Sequence, residues 1–326
     1  MTTNPYDVLF KSAFEAPGDA AALLRELMPP AVRAAVAWET LSGERGSFVD
    51  AMLAEQHGDL LFLAGLRTDA SKIVYCLLEH QSTSDPMMPL RMLSYQVRIW
   101  NRFVREHPDA WLPPVFGVVV SHAAGGWTAA RAFEGLFDPG VMSTSGLAAL
   151  VPRFSMIVDD LTQLSNDDLA GRSLGAFQKL ALWLLRDARD PERLLDSFDY
   201  WIPAMLEVVR TRSGLDRLNV LITYMFQVIS PMHLEALRAK LRTLSSHTEE
   251  VAMTIAEHFR EEGRQEGREE GRQAGRIATL RSLLIFKFQA LSAEHEARLQ
   301  AASPEAIDRY LQRLLTADSL AVVFED

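Results

Sequence analysis

The chain has 326 residues, of which 48% are hydrophobic and 23% charged, a balance that excludes a disordered chain and supplies apolar material for one large or two ordinary domains. Its formal net charge of −10 argues against a broad phosphate-binding surface, but not against a local cleft where a divalent metal offsets phosphate charge. No apolar run reaches about 18 residues, and the opening MTTNPYDVLFK has no basic region followed by an apolar stretch. The single cysteine, Cys76, excludes a disulfide framework and a thiolate metal site. The expectation is a soluble, cytoplasmic protein with no membrane partner.

In chain order, residues 7–27 read as one helical segment ending at Pro29-Pro30. Two runs of strand length follow, 59–66 (DLLFLAGL) and 73–79 (IVYCLLE), rich in Leu, Ile, Val, Phe and Tyr. The polar segment 67–72 between them reads as a turn. Residues 88–106 place Leu90, Leu93, Val97, Trp100 and Val104 at helical spacing. Pro113 opens another strand that runs to His122, Gly125-Gly126 marks a turn, and 154–158 (FSMIV) is a further strand ending at Asp159-Asp160. The order ββαβ indicates an α/β domain with a mixed sheet flanked by helices. From about residue 164 the pattern is helical, with candidate helices over 169–188, 191–211, 215–229, 231–244, 249–273, 277–289, 293–300 and 304–315. The organisation read from this shift is a first domain over 1–164, a helical domain over 165–248, a charged Gly-repeat helix or linker over 249–276, and a small helical tail over 277–326.

The two apolar runs permit a register argument. With the turn centred on Asp69, opposed residues have numbers summing to 138, so Asp59 faces Glu79 and His57 faces Gln81. Opposed residues in an antiparallel pair have Cα atoms roughly 4.5–5.5 Å apart and share a face, and Gln81, two residues after Glu79, shares it too. A one-residue slip would send Asp59 and Glu79 to opposite faces. Two adjacent carboxylates repel each other; a bound Mg²⁺ removes that conflict, because it takes one or two carboxylates plus waters and substrate phosphate. The alternative is a pair of acids at solvated strand ends.

The segments GSFVDAMLAEQHGDLLF and IVYCLLEHQSTSDPMMPLRMLSYQVRIW resemble the Rpn (YhgA-like) family of recombination-promoting nucleases, part of the PD-(D/E)xK superfamily. NPYDVLFKSAF is similar to the family's start, and PVFGVVVSHAAGGWTAARAFEGLFD and FSMIVDDLTQLSNDDL to its later segments, with Ser121-His122-Ala123 departing from the usual Tyr-His-Gly. The resemblance implies a restriction-endonuclease-like α/β domain followed by an all-α C-terminal region. It implies that Asp59 and Glu79 bind Mg²⁺ or another divalent cation, that His80 lends its backbone carbonyl with its side chain on the other face, and that Gln81 stands where the superfamily has lysine. Gln81 carries no charge but can orient water through its amide; a degenerate site is the other reading of this replacement. The implied activity is metal-dependent DNA endonuclease chemistry in recombination or mobile-element biology, with DNA as partner. A catalytically silent interaction protein is the second reading. A transposase with Asp59, Glu79 and Asp160 as spread carboxylates is the third, and it fits poorly because two of these acids lie on one hairpin. Asp160 also reads as a cap for the following helix or turn, Asp7 and Lys11 as an i,i+4 pair, and His57 and His122 as structural histidines.

The run TIAEHFREEGRQEGREEGRQAGRI repeats Gly263, Gly267, Gly271 and Gly275 every four residues, with Arg and Glu in matching stripes. Four glycines inside a helix cost about 3–4 kcal/mol relative to alanine, so a long Gly/Arg/Glu-repeat helix here needs a partner. The expectation is a homo-oligomer through the C-terminal helices; the alternative is a flexible charged linker. No P-loop, GxSxG, zinc-ligand cluster or GxGxxG is present.

Overall fold

The computed structural model describes residues 4–44, 60–247 and 249–325. The chain begins with α1 (Pro5–Phe14), α2 (Pro17–Leu27) and α3 (Pro30–Ala35), followed by β1 (Val36–Gly43), β2 (Leu60–Leu66) and β3 (Asp69–Gln81). Then come α4 (Met88–Glu106), β4 (Val115–Ser121), the short α5 (Pro139–Met142) and β5 (Ile157–Asp160). Helices α6 (Asn166–Gly171), α7 (Ala176–Asp187), α8 (Pro191–Val209), α9 (Gly214–Val228), α10 (Leu234–Ser245), α11 (Glu249–Phe288), α12 (Ala293–Gln300), α13 (Pro304–Thr316) and α14 (Leu320–Val323) complete it. The residues cluster into two units, one up to Ile255 and one over Ala256–Asp326.

The expected single helix over 7–27 is two helices. Asn4 caps the first, its side chain accepting from the Tyr6 N–H at 3.1 Å. Pro17 ends the continuity: it has no N–H to give and its ring would meet the carbonyl four residues back, so it starts a second helix instead.

The five strands lie in the order β1-β2-β3-β4-β5. β1, β2 and β3 are antiparallel, whereas β3, β4 and β5 are parallel, so the order is βββαββ rather than the expected ββαβ. The turn between β2 and β3 is Arg67-Thr68, and Asp69 to Lys72 belong to β3 rather than to the turn. The register nevertheless runs Leu60↔Leu78, Leu61↔Leu77 and on to Gly65↔Ile73, each pair summing to 138. An irregularity between Gly65 and Leu66 takes up the difference, shifting the last pair to Leu66↔Asp69. The strand expected over 154–158 lies at Ile157–Asp160, where β5 runs beside β4, while Ser155 makes an isolated bridge to Ala132.

Helix α4 covers one face of the sheet. Met88, Met92 and Tyr95 pack with Leu77, Val119 and Met156, and Ile99 and Phe103 pack with Tyr75. Each such apolar side chain taken from water contributes about 1.5–3 kcal/mol. The helix has the expected limits, and of its residues at helical spacing Leu90, Val97 and Val104 lie away from the sheet, over two-fifths exposed. Both sides of this helix are apolar, so periodicity alone does not choose between them; the bulkier Met, Tyr, Ile and Phe side takes the sheet. Gly117 on β4 allows the close approach, since a Cβ there would lie 2.6 Å from the Met92 Sδ.

The other sheet face receives α1, which also packs on α7 and α9. Beyond it Trp183 and Trp201 stack with ring centroids 5.6 Å apart, and Trp183 donates to Ser197 Oγ at 2.9 Å.

The second unit has its own small core of Ile277, Leu280, Leu284, Leu299, Ile307, Tyr310, Leu314, Val323 and Phe324. The expected break near residue 275 is absent, as residues 249–288 form one helix, and Gln289 follows it in the left-handed region at φ 69°. Among the described residues no helix is long and apolar enough to cross a membrane.

Candidate functional site

Adjacent residues of β3 point to opposite faces, so the triplet Glu79-His80-Gln81 divides between two environments. Leu77 packs under α4, and Glu79 and Gln81 share its face. The Gln81 Nε2 donates to Glu79 Oε1 at 2.6 Å. From α4, Arg91 Nη2 donates to the same oxygen at 2.7 Å. The Glu79 side chain is only 1% exposed. A buried carboxylate is costly unless it is paired and hydrogen-bonded, and Arg91 and Gln81 supply both conditions. Arg91 is itself held by Asp85 through Nη1 at 2.9 Å and by the Tyr95 hydroxyl at 3.3 Å. Burial works to lower the Arg91 pKa, but Glu79, Tyr95 and Asp85 more than offset this and raise it, so the guanidinium stays charged.

His80 turns the other way. Its Nδ1 lies 3.3 Å from Asp7 Oδ1 on α1. Asp7 thus pairs across to the sheet, not with Lys11 as its spacing suggested. The His80 ring stacks between Phe10 at 5.0 Å and His122 at 4.8 Å, and Tyr6 meets His122 at 5.0 Å. Burial first, then the neighbouring His80 and Arg189, pull the His122 pKa down to about 2, so that ring is neutral. Arg189 closes the column, lying 4.7 Å over the Tyr6 ring and donating to the Ser82 carbonyl at 2.8 Å.

The register row Gln81↔Ser121↔Asp160 carries the triplet's end across to β4 and β5. Asp160 is engaged in the backbone there: Oδ1 accepts from Thr162 N at 3.2 Å and Thr162 Oγ1 at 2.7 Å, and Oδ2 from Trp127 N at 2.8 Å. It caps the turn that follows β5. Gly126, at φ 85°, fits against this carboxylate because a Cβ would lie 3.1 Å from Asp160 Oδ2.

Asp59 and His57 lie outside the described residues. Among the described residues no group of three or more His, Cys, Asp or Glu could hold a metal ion. The described donors do fit a hard cation in kind: Glu79 supplies a carboxylate and Gln81 an amide on the same strand face. Arg91 is the residue of this centre that sequence reasoning missed. Its signal was a charge at i+3 from Met88 and i−4 from Tyr95, on the edge of an apolar stripe.

A family model described as "Putative transposase, YhgA-like" matches residues 4–215. Recombination-promoting nuclease RpnA of Escherichia coli (strain K12) is 32% identical over 126 residues, 37% of this chain and 41% of that protein. Recombination-promoting nuclease RpnD of Escherichia coli O157:H7 is 29% identical over 38% of this chain and 47% of its own. The chain thus matches less than half the length of each of these two curated relatives. Inactive recombination-promoting nuclease-like protein RpnE of Escherichia coli (strain K12) is 26% identical over 80% of this chain and 83% of that protein. No solved structure matches. With the family model covering more than half of its residues, including all of the described sheet, the chain belongs to the YhgA-like transposase family.

Proposed function

We propose that this chain is a metal-dependent DNA endonuclease of the PD-(D/E)xK type, acting in recombination or on mobile elements. The observation that carries the reading is the Glu79–Gln81 pair on one face of β3, beside a strand whose register with β3 sums to 138. One more step of that register would set Asp59 opposite Glu79. The names of the similar proteins RpnA and RpnD supply the nuclease class.

In this reading Asp59 and Glu79 hold the divalent cation, with the His80 backbone carbonyl beside them. Bound there, Mg²⁺ would supply Lewis-acid stabilisation of a phosphodiester and a more acidic water. The chain's own residues do the rest. Gln81 donates an N–H to Glu79, which leaves its carbonyl oxygen to accept from the attacking water. Glu79 keeps its orientation because two donors fix Oε1. The His80–Asp7 contact anchors the strand to α1 from behind, so the centre rests on a rigid element.

Plasmid cleavage in Mg²⁺ tests the proposal. Wild type nicks or linearises the plasmid, and Asp59→Ala and Glu79→Ala each lose at least about 100-fold, with circular dichroism unchanged. Equal residual cleavage in all three proteins would reject it.

The second reading is a silent interaction protein that oligomerises through its C-terminal helices. It is favoured by the RpnE match, since that protein is named inactive and shares most of its length with this chain. Light scattering before and after removal of residues 261–326 examines the oligomer. An unchanged subunit number counts against it.

A further inference from the structure

Glu79 and Gln81 together bring one negative charge and no positive one to the edge of β3. A phosphodiester is itself anionic, so a hydrolytic centre there needs a cation from the protein as well as from the metal. We infer that Arg91 is that cation and contacts the substrate phosphate; the inference rests on the nuclease reading above.

The geometry is specific. Arg91 Nη2 and Gln81 Nε2 donate to the same atom, Glu79 Oε1, at 2.7 and 2.6 Å. The guanidinium therefore occupies the neighbourhood that an ammonium on residue 81 would reach. It arrives from the first turn of α4, not from the strand. A lone long side chain would lose freedom on binding a phosphate, but this one is already ordered by Asp85 at 2.9 Å and Tyr95 at 3.3 Å.

Exposure points the same way. The Arg91 side chain is 25% exposed while that of Glu79 is 1% exposed. Of the paired groups, the guanidinium is the one that an incoming phosphate can meet. A phosphate presents oxygens in a geometry that a guanidinium reads as it reads a carboxylate, so substrate can take over contacts now made with Glu79 or Asp85. Arg91 stays protonated throughout, because a guanidinium does not lose its proton in a protein.

The test compares wild type, Arg91→Lys, Arg91→Met and the double variant Gln81→Lys/Arg91→Met. Folding is followed by circular dichroism and urea unfolding. Two readouts are taken: cleavage kinetics in Mg²⁺, and binding of a labelled 20-base-pair DNA duplex in chelator over a range of salt. Arg91→Met is expected to lose at least about 100-fold in kcat, and to flatten the slope of log K against log salt by about 0.9. Arg91→Lys keeps part of both. The double variant recovers at least tenfold over Arg91→Met, because a lysine at 81 returns the charge to the same place.

Arg91→Met cleaving and binding like wild type would overturn the inference. So would a folded double variant no better than Arg91→Met in both readouts. If wild type does not cleave, the nuclease reading fails by itself, and the salt slopes decide Arg91 separately: an unchanged slope rejects the phosphate contact. If Arg91→Met does not fold, Arg91→Lys and the double variant, which both keep a cation beside Glu79, carry the same comparisons.

Discussion

The Nδ1 of His80 and the Oδ1 of Asp7 stand 3.3 Å apart, joining the middle of the sheet to the first helix over a sequence separation of 73 residues. The His80 side chain is 1% exposed and that of Asp7 is 14% exposed. Removing the carboxylate leaves a buried imidazole without this contact. Asp7→Ala is expected to lower the unfolding free energy by about 1–3 kcal/mol. Urea titration measures it, and an unchanged midpoint would mean that the pair does not hold α1 to the sheet. Cleavage by this variant should fall only in proportion to the folded fraction.

An ion pair lies on the same sheet face. Arg172 reaches Asp159 on β5 through two bonds, Nη1 to Oδ2 at 2.8 Å and Nη2 to Oδ1 at 2.7 Å. Both side chains are less than a tenth exposed. Burial works to lower the Arg172 pKa, but Asp159 and Glu26 more than offset it. Arg172→Met strands the Asp159 carboxylate and should cost about 3–5 kcal/mol, whereas Arg172→Met/Asp159→Leu should cost clearly less. Thermal or urea unfolding of the two proteins decides; equal losses would show that packing, not charge, dominates there.

Much of this arrangement was readable from residues alone, for physical reasons. Long apolar runs with β-branched and aromatic residues marked β2, β3 and β4, and Met88–Glu106 had clear helical spacing. Over Leu60–Gly65 the hairpin keeps the expected register although the turn lies before Asp69, since the irregularity at Gly65 and Leu66 compensates for it; the pairs Asp59–Glu79 and His57–Gln81 lie outside the described residues. β1 was missed because its exposure does not alternate: Val36, Ala37 and Trp38 are all buried, then Glu39 and Thr40 are exposed. The Glu79–Gln81 pairing followed from the two-residue period of a strand. Arg91 did not, because nothing in the sequence says how the loop after Gln81 aims the start of α4.

Cys76 offers a check on the core of β3. It is fully buried, and burial pushes its thiol pKa up to about 12. Since the thiolate is the reactive form, a thiol reagent at pH 8 should leave the native protein unmodified. The same reagent in denaturant should titrate one thiol per chain. Rapid labelling of the native protein would show that β3 opens to solvent more readily than its burial implies. This would also weaken any account that needs a rigid strand beneath Glu79.

The fit between α4 and β4 gives the last test. Arg91 reaches Glu79 only because α4 lies close to the sheet, and that closeness depends on Gly117. A Cβ at this position would fall 2.6 Å from Met92 Sδ and 2.7 Å from its Cγ. Met92 is itself fully buried, so it has little room to retreat. Gly117→Val should therefore destabilise the chain by about 1–3 kcal/mol through overpacking. Adding Met92→Ala removes the clashing atoms and should recover part of that loss, which urea unfolding of the single and double variants measures. Because the valine lifts α4, it should also lengthen the Arg91–Glu79 contact and depress cleavage beyond what the folded fraction explains. If Gly117→Val leaves both stability and cleavage unchanged, the helix seat is looser than the Met92 contact requires, and the placement of Arg91 loses its structural support.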